Sequence, residues 1–256
     1  MNAIHAVLFD IDGVLLTGGR AVPGAAETLG ILDDRGIPYR CISNTTRKSR
    51  DSIAAMLHAA GLFVPANAII TPAVAAASLL AQRGLLRCYL LTTADLHSDF
   101  AGAGIVYAEA SADAVVIGDA GDNFTYASLN LAFRAVLNGA PCIALEKDRY
   151  WMDADGMSLS AGPFVKAIEY ATGREAELVG KPSAAFFARA LADLGAAASE
   201  TVMIGDDIRS DIGGARQSGM QAFLVQTGKY RSADVQQAAI QPDRIIPSVA
   251  GLSAYL

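Results

Sequence analysis

Short apolar runs alternate with amphipathic segments along the chain. Runs that end at a polar or glycine-containing turn predict buried strands over residues 6–9, 39–42, 68–70, 201–204 and 222–225. Apolar residues at helical spacing predict helices over residues 24–35, 47–60, 72–83, 186–194 and 212–218. Because strands that alternate with helices are typical of a parallel sheet, we predict an α/β fold with a doubly wound parallel sheet.

The middle of the chain has an alternation of its own. Strands are predicted over 88–91, 114–117 and 142–145, and a helix over 126–138. Acidic residues of one kind follow predicted strands on both sides of this region, but no matching chemistry lies within it. We therefore predict a core made of residues 1–84 and 179–256, and an inserted α/β domain at residues 85–178.

Composition limits the class of protein and its partners. Of the 256 residues, 52% are hydrophobic and 18% are charged, which excludes disordered and fibrous chains. Twenty Lys and Arg stand against 26 Asp and Glu, so the formal net charge is −6. No basic surface is available for a nucleic-acid backbone, and we expect no nucleic-acid partner. A small phosphate would need a local device such as a cation, backbone amides or one placed lysine.

No targeting or membrane segment is expected. The first apolar run stops at Asp10 and lacks a basic region before it, unlike a signal peptide. The uncharged stretch 59–82 is interrupted by Pro65 and Pro72, so we interpret it as core segments joined by a turn rather than as a membrane span. The three cysteines have no CxxC spacing, which argues against a zinc site. We expect a cytoplasmic protein with no membrane partner.

Two carboxylates follow the first predicted strand, in the sequence Asp10-Ile11-Asp12-Gly13. Open α/β folds bind ligands beyond the carboxyl ends of their strands. Asp10 and Asp12 could therefore share one site, where one attacks as a nucleophile and the other, held protonated, donates to the leaving oxygen. Alone, this pattern is equally typical of an ordinary turn.

A second acidic cluster follows the strand at 201–204 and contains Asp206, Asp207 and Asp211. Carboxylates that converge with Asp10 would repel one another unless a divalent cation lay among them. Mg²⁺ fits, because it binds a few carboxylate oxygens, keeps waters and bridges to a phosphate. We expect Asp206 to be a direct ligand and Asp211 to hold a metal-bound water or orient the ligands.

Two further features could bind a phosphate. Ser43 ends the strand at 39–42 and offers a hydroxyl, and the backbone amide of Asn44 could donate to a phosphate oxygen. Lys181, in Gly180-Lys181-Pro182, precedes a predicted helix and could neutralise both a nucleophile and an incoming phosphate. The order Asp, Ser, Lys, Asp, each at a strand end or a helix start, favours one site over four independent turns.

These four motifs resemble those of the haloacid dehalogenase (HAD) superfamily. The motifs are DIDGV at 10–14, SN at 43–44, GKP at 180–182 and GDDIRSD at 205–211. Because the insertion falls between the second and third motifs, the chain is similar to the C2-capped, NagD-like subfamily IIA. Within it, the segments 43–50, Tyr126 onwards and 179–183 look most like the phospholysine/phosphohistidine/inorganic pyrophosphate phosphatase-like hydrolases.

The resemblance implies a Rossmann-like HAD core with an inserted C2-type cap, and a Mg²⁺-dependent phosphohydrolase. Asp10 would be the nucleophile that forms an aspartyl-phosphate, and Asp12 the general acid/base. Asp10, Asp12 (through its backbone carbonyl) and Asp206 would bind Mg²⁺, with support from Asp207 and Asp211. Ser43, Asn44 and Lys181 would hold the phosphoryl group of a small phosphorylated substrate. A homodimer through the cap is a further expectation.

Two other functions remain open at this point. A phosphorylation-switched receiver module also combines an acidic cluster, a Ser or Thr and a Lys on a doubly wound sheet, although Asp12 and the large insertion argue against it. A carbon–halogen hydrolase would use the same aspartate nucleophile on carbon, but it would not need a Mg²⁺ cluster.

Overall fold

A computed structural model describes residues 3–153 and 156–256 of the chain. The strands, numbered in chain order, are β1 Ala6–Asp10, β2 Leu16–Thr17, β3 Arg20–Ala21, β4 Tyr39–Ile42, β5 Ile69–Ile70, β6 Arg87–Leu91, β7 Val106–Tyr107, β8 Ala114–Ile117, β9 Cys142–Ala144, β10 Tyr150–Asp153, β11 Gly156–Leu159, β12 Glu177–Leu178, β13 Thr201–Gly205, β14 Gln221–Val225 and β15 Arg244–Ile246. The helices are α1 Ala25–Arg35, α2 Arg50–Ala59, α3 Pro72–Gln82, α4 His97–Ala101, α5 Tyr126–Leu137, α6 Ala161–Thr172, α7 Ala184–Leu194, α8 Gly214–Gln217 and α9 Ser232–Gln237.

The described residues divide into two compact units. The first unit holds the residues up to Ser43, Asp51–Ile70 and Lys181–Leu256, and the second unit holds Asn44–Arg50 and Thr71–Gly180. These limits differ from the predicted domain limits, because 44–50, 71–84 and 179–180 belong to the second unit. Along the chain the two units alternate, because the short segment 44–50 of the second unit interrupts the first part of the first unit.

The first unit is built on a parallel sheet with the strand order β15-β14-β13-β1-β4-β5. All five residues of β1 are buried, as are those of its neighbour β13. Such continuous apolar strands are typical of parallel sheets covered by helices on both faces. Phe9, Leu29 and Ile53 belong to one buried cluster that joins the sheet to α1 and α2. The predicted α/β fold is confirmed.

The second unit is built on its own parallel sheet, with the strand order β12-β9-β8-β6-β7. Val115 and Ile117 of β8 pack with Ala132 of α5 and with Val165 and Ile168 of α6. The predicted strands of this region are therefore present. Helix α6 and the antiparallel pair of β10 and β11 were not predicted.

Helix α2 begins at Arg50, and the prediction that it begins at residue 47 is wrong. Acidic side chains of the second unit bind the backbone just before and at the helix start. The Ser49 amide donates to Asp95 Oδ2 at 2.8 Å, and the Arg50 amide donates to Asp99 Oδ2 at 3.1 Å. These carboxylates satisfy amides that a helix leaves unpaired at its first turn, so the helix starts where they bind.

In the part of the chain that the structure describes, no helix combines the length and apolar character needed to cross a membrane.

Candidate active site

Four neighbouring strands of the first unit end at the same edge of the sheet. The strands β14, β13, β1 and β4 are adjacent and parallel, so their carboxyl ends lie side by side. Asp10 is the last residue of β1, Asp206 follows β13, and Ser43 follows β4. The structure thus places three of the predicted site residues along one edge.

Lys181 bridges two of the carboxylates. Its Nζ lies 2.5 Å from Asp10 Oδ1 and 2.7 Å from Asp211 Oδ1, and all three side chains are buried. Burial disfavours the charged lysine, but the carboxylates of Asp10 and Asp211 outweigh it and raise the pKa of Lys181 above its ordinary value. Burial, together with Asp211 and Asp206, raises the pKa of Asp10 although Lys181 opposes that shift. Lys181 is therefore a fixed cation beside Asp10.

Asp211 is held on both oxygens. Its Oδ1 accepts from Lys181, and its Oδ2 accepts from the backbone amides of Asp206 at 3.2 Å and Asp207 at 3.1 Å. Asp211 lies on a π-helical turn, Ile208–Gly213, that follows β13 where an α-helix was predicted only from residue 212. A carboxylate with this set of partners fixes the loop of Asp206 and the position of Lys181.

Asp207 is engaged differently, as the residue that caps the π-helical turn. Its Oδ1 accepts from the amides of Arg209 at 2.8 Å and Ser210 at 3.0 Å. Burial alone would raise the pKa of Asp207, but these two amides stabilise the charged form and the pKa lies below its ordinary value. Asp207 thus stays ionised and supports the loop.

Asp206 has one bound oxygen and one unpartnered oxygen. Its Oδ2 accepts from the Lys229 amide at 2.7 Å, whereas its buried Oδ1 has no hydrogen-bond partner among the described residues. The backbone approaches Oδ2 closely at two glycines. A Cβ would lie 2.0 Å from Oδ2 at Gly13 and 2.1 Å from it at Gly228. Burial raises the pKa of Asp206 to about 6, although the Lys229 amide opposes that shift.

These carboxylates fit a small divalent cation. Each of Asp10, Asp206 and Asp211 offers an oxygen within 4.8 Å of the others. An unpartnered buried carboxylate oxygen is costly unless a cation or a hydrogen-bond donor satisfies it. Because all the donors are hard oxygens, the chemistry of the set suits Mg²⁺ better than a metal that prefers nitrogen or sulfur.

The remaining predicted residues lie in different surroundings. Asp12 is exposed, on the turn where the Gly13 amide donates to Leu16 O at 2.6 Å, so its carboxyl is open to solvent. Ser43 is buried, and its amide donates to Ile70 O at 3.2 Å. Asn44 begins the segment 44–50 of the second unit, so its predicted contact with a phosphate stays a prediction.

Sequence reasoning missed the turn Thr227-Gly228-Lys229, which follows β14. Its Thr227 hydroxyl donates to Gly13 O at 2.5 Å, and its Lys229 Nζ lies 3.8 Å from Asp207 Oδ2. Its position could have identified it as a part of the site, because the turn follows an apolar strand in the same half of the chain as Asp206. Thr, Gly and Lys are common turn residues, so the composition of the turn carried no signal.

Comparisons with known proteins agree with this fold. A family model described as "Haloacid dehalogenase-like hydrolase" matches residues 7–106, and one described as "HAD-hyrolase-like" matches residues 178–252. Together they contain every motif aspartate, Ser43 and Lys181. The two matches leave a gap that lies within the second unit.

Whole-chain relatives show the class. The chain is 44% identical over 233 residues to the bovine (Bos taurus) haloacid dehalogenase-like hydrolase domain-containing protein 2, covering 91% of this chain and 88% of that protein. It is 38% identical over 256 residues to the bovine phospholysine phosphohistidine inorganic pyrophosphate phosphatase, covering 98% and 93%. The structure of NagD from E. coli K-12 superposes with a TM-score of 0.90 at 31% identity, covering 97% and 98%.

The fold and these relatives define a hydrolase of the phosphatase class. More narrowly, the chain belongs to the haloacid dehalogenase superfamily, in its C2-capped, NagD-like subfamily IIA.

Proposed function

We propose that the protein is a Mg²⁺-dependent phosphohydrolase that cleaves a small phosphorylated molecule through an aspartyl-phosphate on Asp10. The observation that carries the proposal is the buried Asp10–Lys181–Asp211 bridge beside the unpartnered oxygen of Asp206. A nucleophile and a fixed cation thus lie next to carboxylates that fit Mg²⁺.

In the first step, an Asp10 carboxylate oxygen forms a bond to phosphorus while the bond from phosphorus to the leaving group breaks. Lys181 holds Asp10 in place and offsets the negative charge that gathers on the phosphoryl oxygens. Asp12, which is exposed and two residues away, gives its proton to the leaving atom.

In the second step, water replaces Asp10 on phosphorus. Asp12, now a carboxylate, takes a proton from that water, the new P–O bond forms and the acyl-phosphate bond breaks. Inorganic phosphate leaves, and Asp10 returns to its carboxylate form. The exposure of Asp12 suits both steps, because it must meet a leaving group and then a water.

The metal would be bound by Asp10, by Asp206 and by the backbone carbonyl of Asp12, with Asp207 and Asp211 as supporting residues. When bound, Mg²⁺ supplies charge that draws the phosphate to an acidic edge and stabilises the transferring group. Ser43 and the Asn44 amide, with Lys181, would hold the phosphoryl oxygens.

The substrate class includes phosphate monoesters, phosphoramidates and pyrophosphate. The name of one relative includes phospholysine, phosphohistidine and inorganic pyrophosphate, which supports the inclusion of P–N and P–O–P bonds among those that the protein cleaves. The values of kcat/KM for pyrophosphate, phospholysine, phosphohistidine, phosphoglycolate and sugar phosphates with Mg²⁺ present would rank them. A cytoplasmic location and a homodimer through the inserted domain stay predictions.

The test uses the variants Asp10→Asn and Asp12→Asn with 4-nitrophenyl phosphate. Asp10→Asn should abolish Mg²⁺-dependent phosphate release, because an amide cannot form the acyl-phosphate. Asp12→Asn should lower kcat by about 10²- to 10⁴-fold, because only the proton transfer is lost. Stopped assays of released phosphate, with and without EDTA, measure both effects.

Asp34→Asn is the matched control, since Asp34 is exposed on α1 of the same unit and should keep the wild-type rate. Undiminished release by a folded Asp10→Asn protein would contradict the proposal. An aspartyl-phosphate that persists for minutes without turnover would favour the receiver module instead. Dehalogenation that survives EDTA would favour the carbon–halogen hydrolase.

A further inference from the structure

The turn Thr227-Gly228-Lys229 contacts the acidic edge of the sheet with each of its three residues. We use this name for the loops after β1 and β13 together with the carboxylates at these strand ends, which are those of Asp10, Asp12, Asp206, Asp207 and Asp211. The Thr227 hydroxyl donates to the carbonyl of Gly13 at 2.5 Å, and the Lys229 amide donates to Asp206 Oδ2 at 2.7 Å. Both partners lie on other strand-end loops, one after β1 and one after β13. The turn therefore ties together the two loops that carry Asp12 and Asp206.

Gly228 allows the turn to contact both loops. It has a positive φ of 65°, and a Cβ there would lie 2.1 Å from Asp206 Oδ2 and 2.6 Å from Gly13 Cα. Any side chain would push the turn away from both loops. The backbone conformation and the close packing both call for glycine at this position.

The hydrogen bond from the turn to Asp206 involves only one of its two carboxylate oxygens, Oδ2. With Oδ2 held by the Lys229 amide, rotation of the carboxylate is restricted, and Oδ1 keeps its buried, unpartnered position. Because Oδ2 is fixed, the carboxylate loses less conformational freedom when Oδ1 binds a cation.

We propose that the Thr227–Lys229 turn is a positioning element for the metal site: it fixes Asp206 Oδ2 and the Gly13 carbonyl so that Asp206 Oδ1 is preorganised for a divalent cation. The inference rests on the proposed function, and it assigns a role to residues outside the four motifs. Thr227 acts through Gly13 and Asp206 and does not itself touch the cation.

The test measures Mg²⁺ binding to the whole protein by titration calorimetry. Thr227→Val keeps the branched shape but removes the hydroxyl, and it should raise the dissociation constant for Mg²⁺ by about 3- to 10-fold, as the loss of one supporting hydrogen bond implies. Thr227→Ser keeps the hydroxyl and should remain within about 2-fold of the wild type.

Thr201→Val is the matched control. The Thr201 hydroxyl also donates to a backbone carbonyl of the first unit, that of Ala197 at 2.9 Å, but it lies at the amino end of β13, away from the acidic edge. Its loss should lower Tm in EDTA and leave the Mg²⁺ affinity unchanged. A purely structural role of Thr227 would give the same pattern as this control.

The outcomes separate this inference from the proposed function. Equal Mg²⁺ affinities of the Thr227→Val and wild-type proteins would overturn the positioning role alone. Weaker Mg²⁺ binding by Thr227→Val, with rescue by Thr227→Ser, supports it even if Asp10→Asn keeps full activity and the nucleophile assignment fails. A wild-type protein that binds no Mg²⁺ would overturn both.

Discussion

Asp206 and Asp207 are adjacent in the sequence, yet their carboxyl groups have opposite pKa shifts. Burial raises the pKa of Asp206 to about 6, whereas two backbone amides keep that of Asp207 below its ordinary value. The cause lies in their hydrogen-bond partners: Asp207 Oδ1 accepts from two backbone amides, whereas Asp206 Oδ1 has no partner among the described residues. The ionised form of Asp206 is thus costly in the folded protein, whereas that of Asp207 is satisfied by the protein itself.

In the second unit, Glu169 shows the effect of well-placed cations. Its Oε1 accepts from Lys147 Nζ at 2.7 Å and from the Ala176 amide at 2.9 Å, and Lys166 Nζ lies 2.5 Å from Oε2. Burial would raise the pKa of Glu169, but Lys147, Lys166 and the amide lower it to about 2. A lowered pKa means that the ionised form stabilises the fold.

We therefore predict a pH-dependent effect of Glu169→Gln. The ordinary pKa of 4.5 falls to about 2 in the folded protein, so the stabilisation is complete above about pH 4.5 and is lost as the pH falls towards 2. The Tm difference between the wild type and Glu169→Gln should be constant near neutral pH and shrink in that acid range. Melting curves at a series of pH values check this, and a constant difference down to the lowest pH would contradict it.

At the scale of elements, the sequence predicts the strands and their acidic ends well. Asp10 and Asp206 follow apolar runs, and parallel strands bring their carboxyl ends to one edge whatever the details of packing. The start of α2 was not predictable, because it depends on Asp95 and Asp99, which lie more than forty residues further along the chain. The Thr227–Lys229 turn was missed for the same reason: its partners are distant in sequence.

Two helical glycines differ in what surrounds them, and we predict opposite effects of alanine. At Gly30, which is exposed on α1, a Cβ meets nothing within 4 Å. Gly30→Ala should stabilise the protein by about 0.5–1 kcal/mol, the helix-propensity difference. At Gly214 of α8, a Cβ would lie 2.2 Å from Phe187 of α7, a fully buried ring. Gly214→Ala should destabilise it by about 1–3 kcal/mol through overpacking.

Urea unfolding of the two variants and the wild type measures both effects. Each is the other's control, since both replace a helical glycine of the first unit with alanine. A Gly214→Ala protein as stable as Gly30→Ala would show that the packing at Gly214 is looser than the Phe187 contact implies, and destabilisation by Gly30→Ala would contradict the prediction for that position.

At the scale of the whole molecule, we expect the acidic edge to link stability to the proposed Mg²⁺. A carboxyl whose pKa is raised in the folded protein costs stability as the pH rises from its ordinary pKa to the raised one. For Asp206 this cost grows from about pH 3.8 and is complete above about pH 6 when no cation is bound. A cation that binds only the folded form adds about 2.7 kcal/mol at a concentration 100 times its dissociation constant.

We predict that Asp206→Asn reverses the order of stability between two conditions. At pH 8 in EDTA, Asp206→Asn should melt at a temperature equal to or above that of the wild type, because the buried charge is gone. With saturating Mg²⁺ the wild type should gain Tm, and the variant should gain much less. Thermal melts of the two proteins, each with EDTA and with Mg²⁺, measure the crossing. Equal gains on adding Mg²⁺ would show that Asp206 is not a ligand.

The order of the strands along the chain also has a consequence for synthesis. In the first unit, β1 pairs on one side with β13, so this pairing cannot form until Thr201, the partner of Ala6, has been synthesised. All strands of the second unit, by contrast, lie between residues 87 and 178. As the polypeptide leaves the ribosome, the second unit therefore has its complete sheet first, and the acidic edge of the first unit is assembled last.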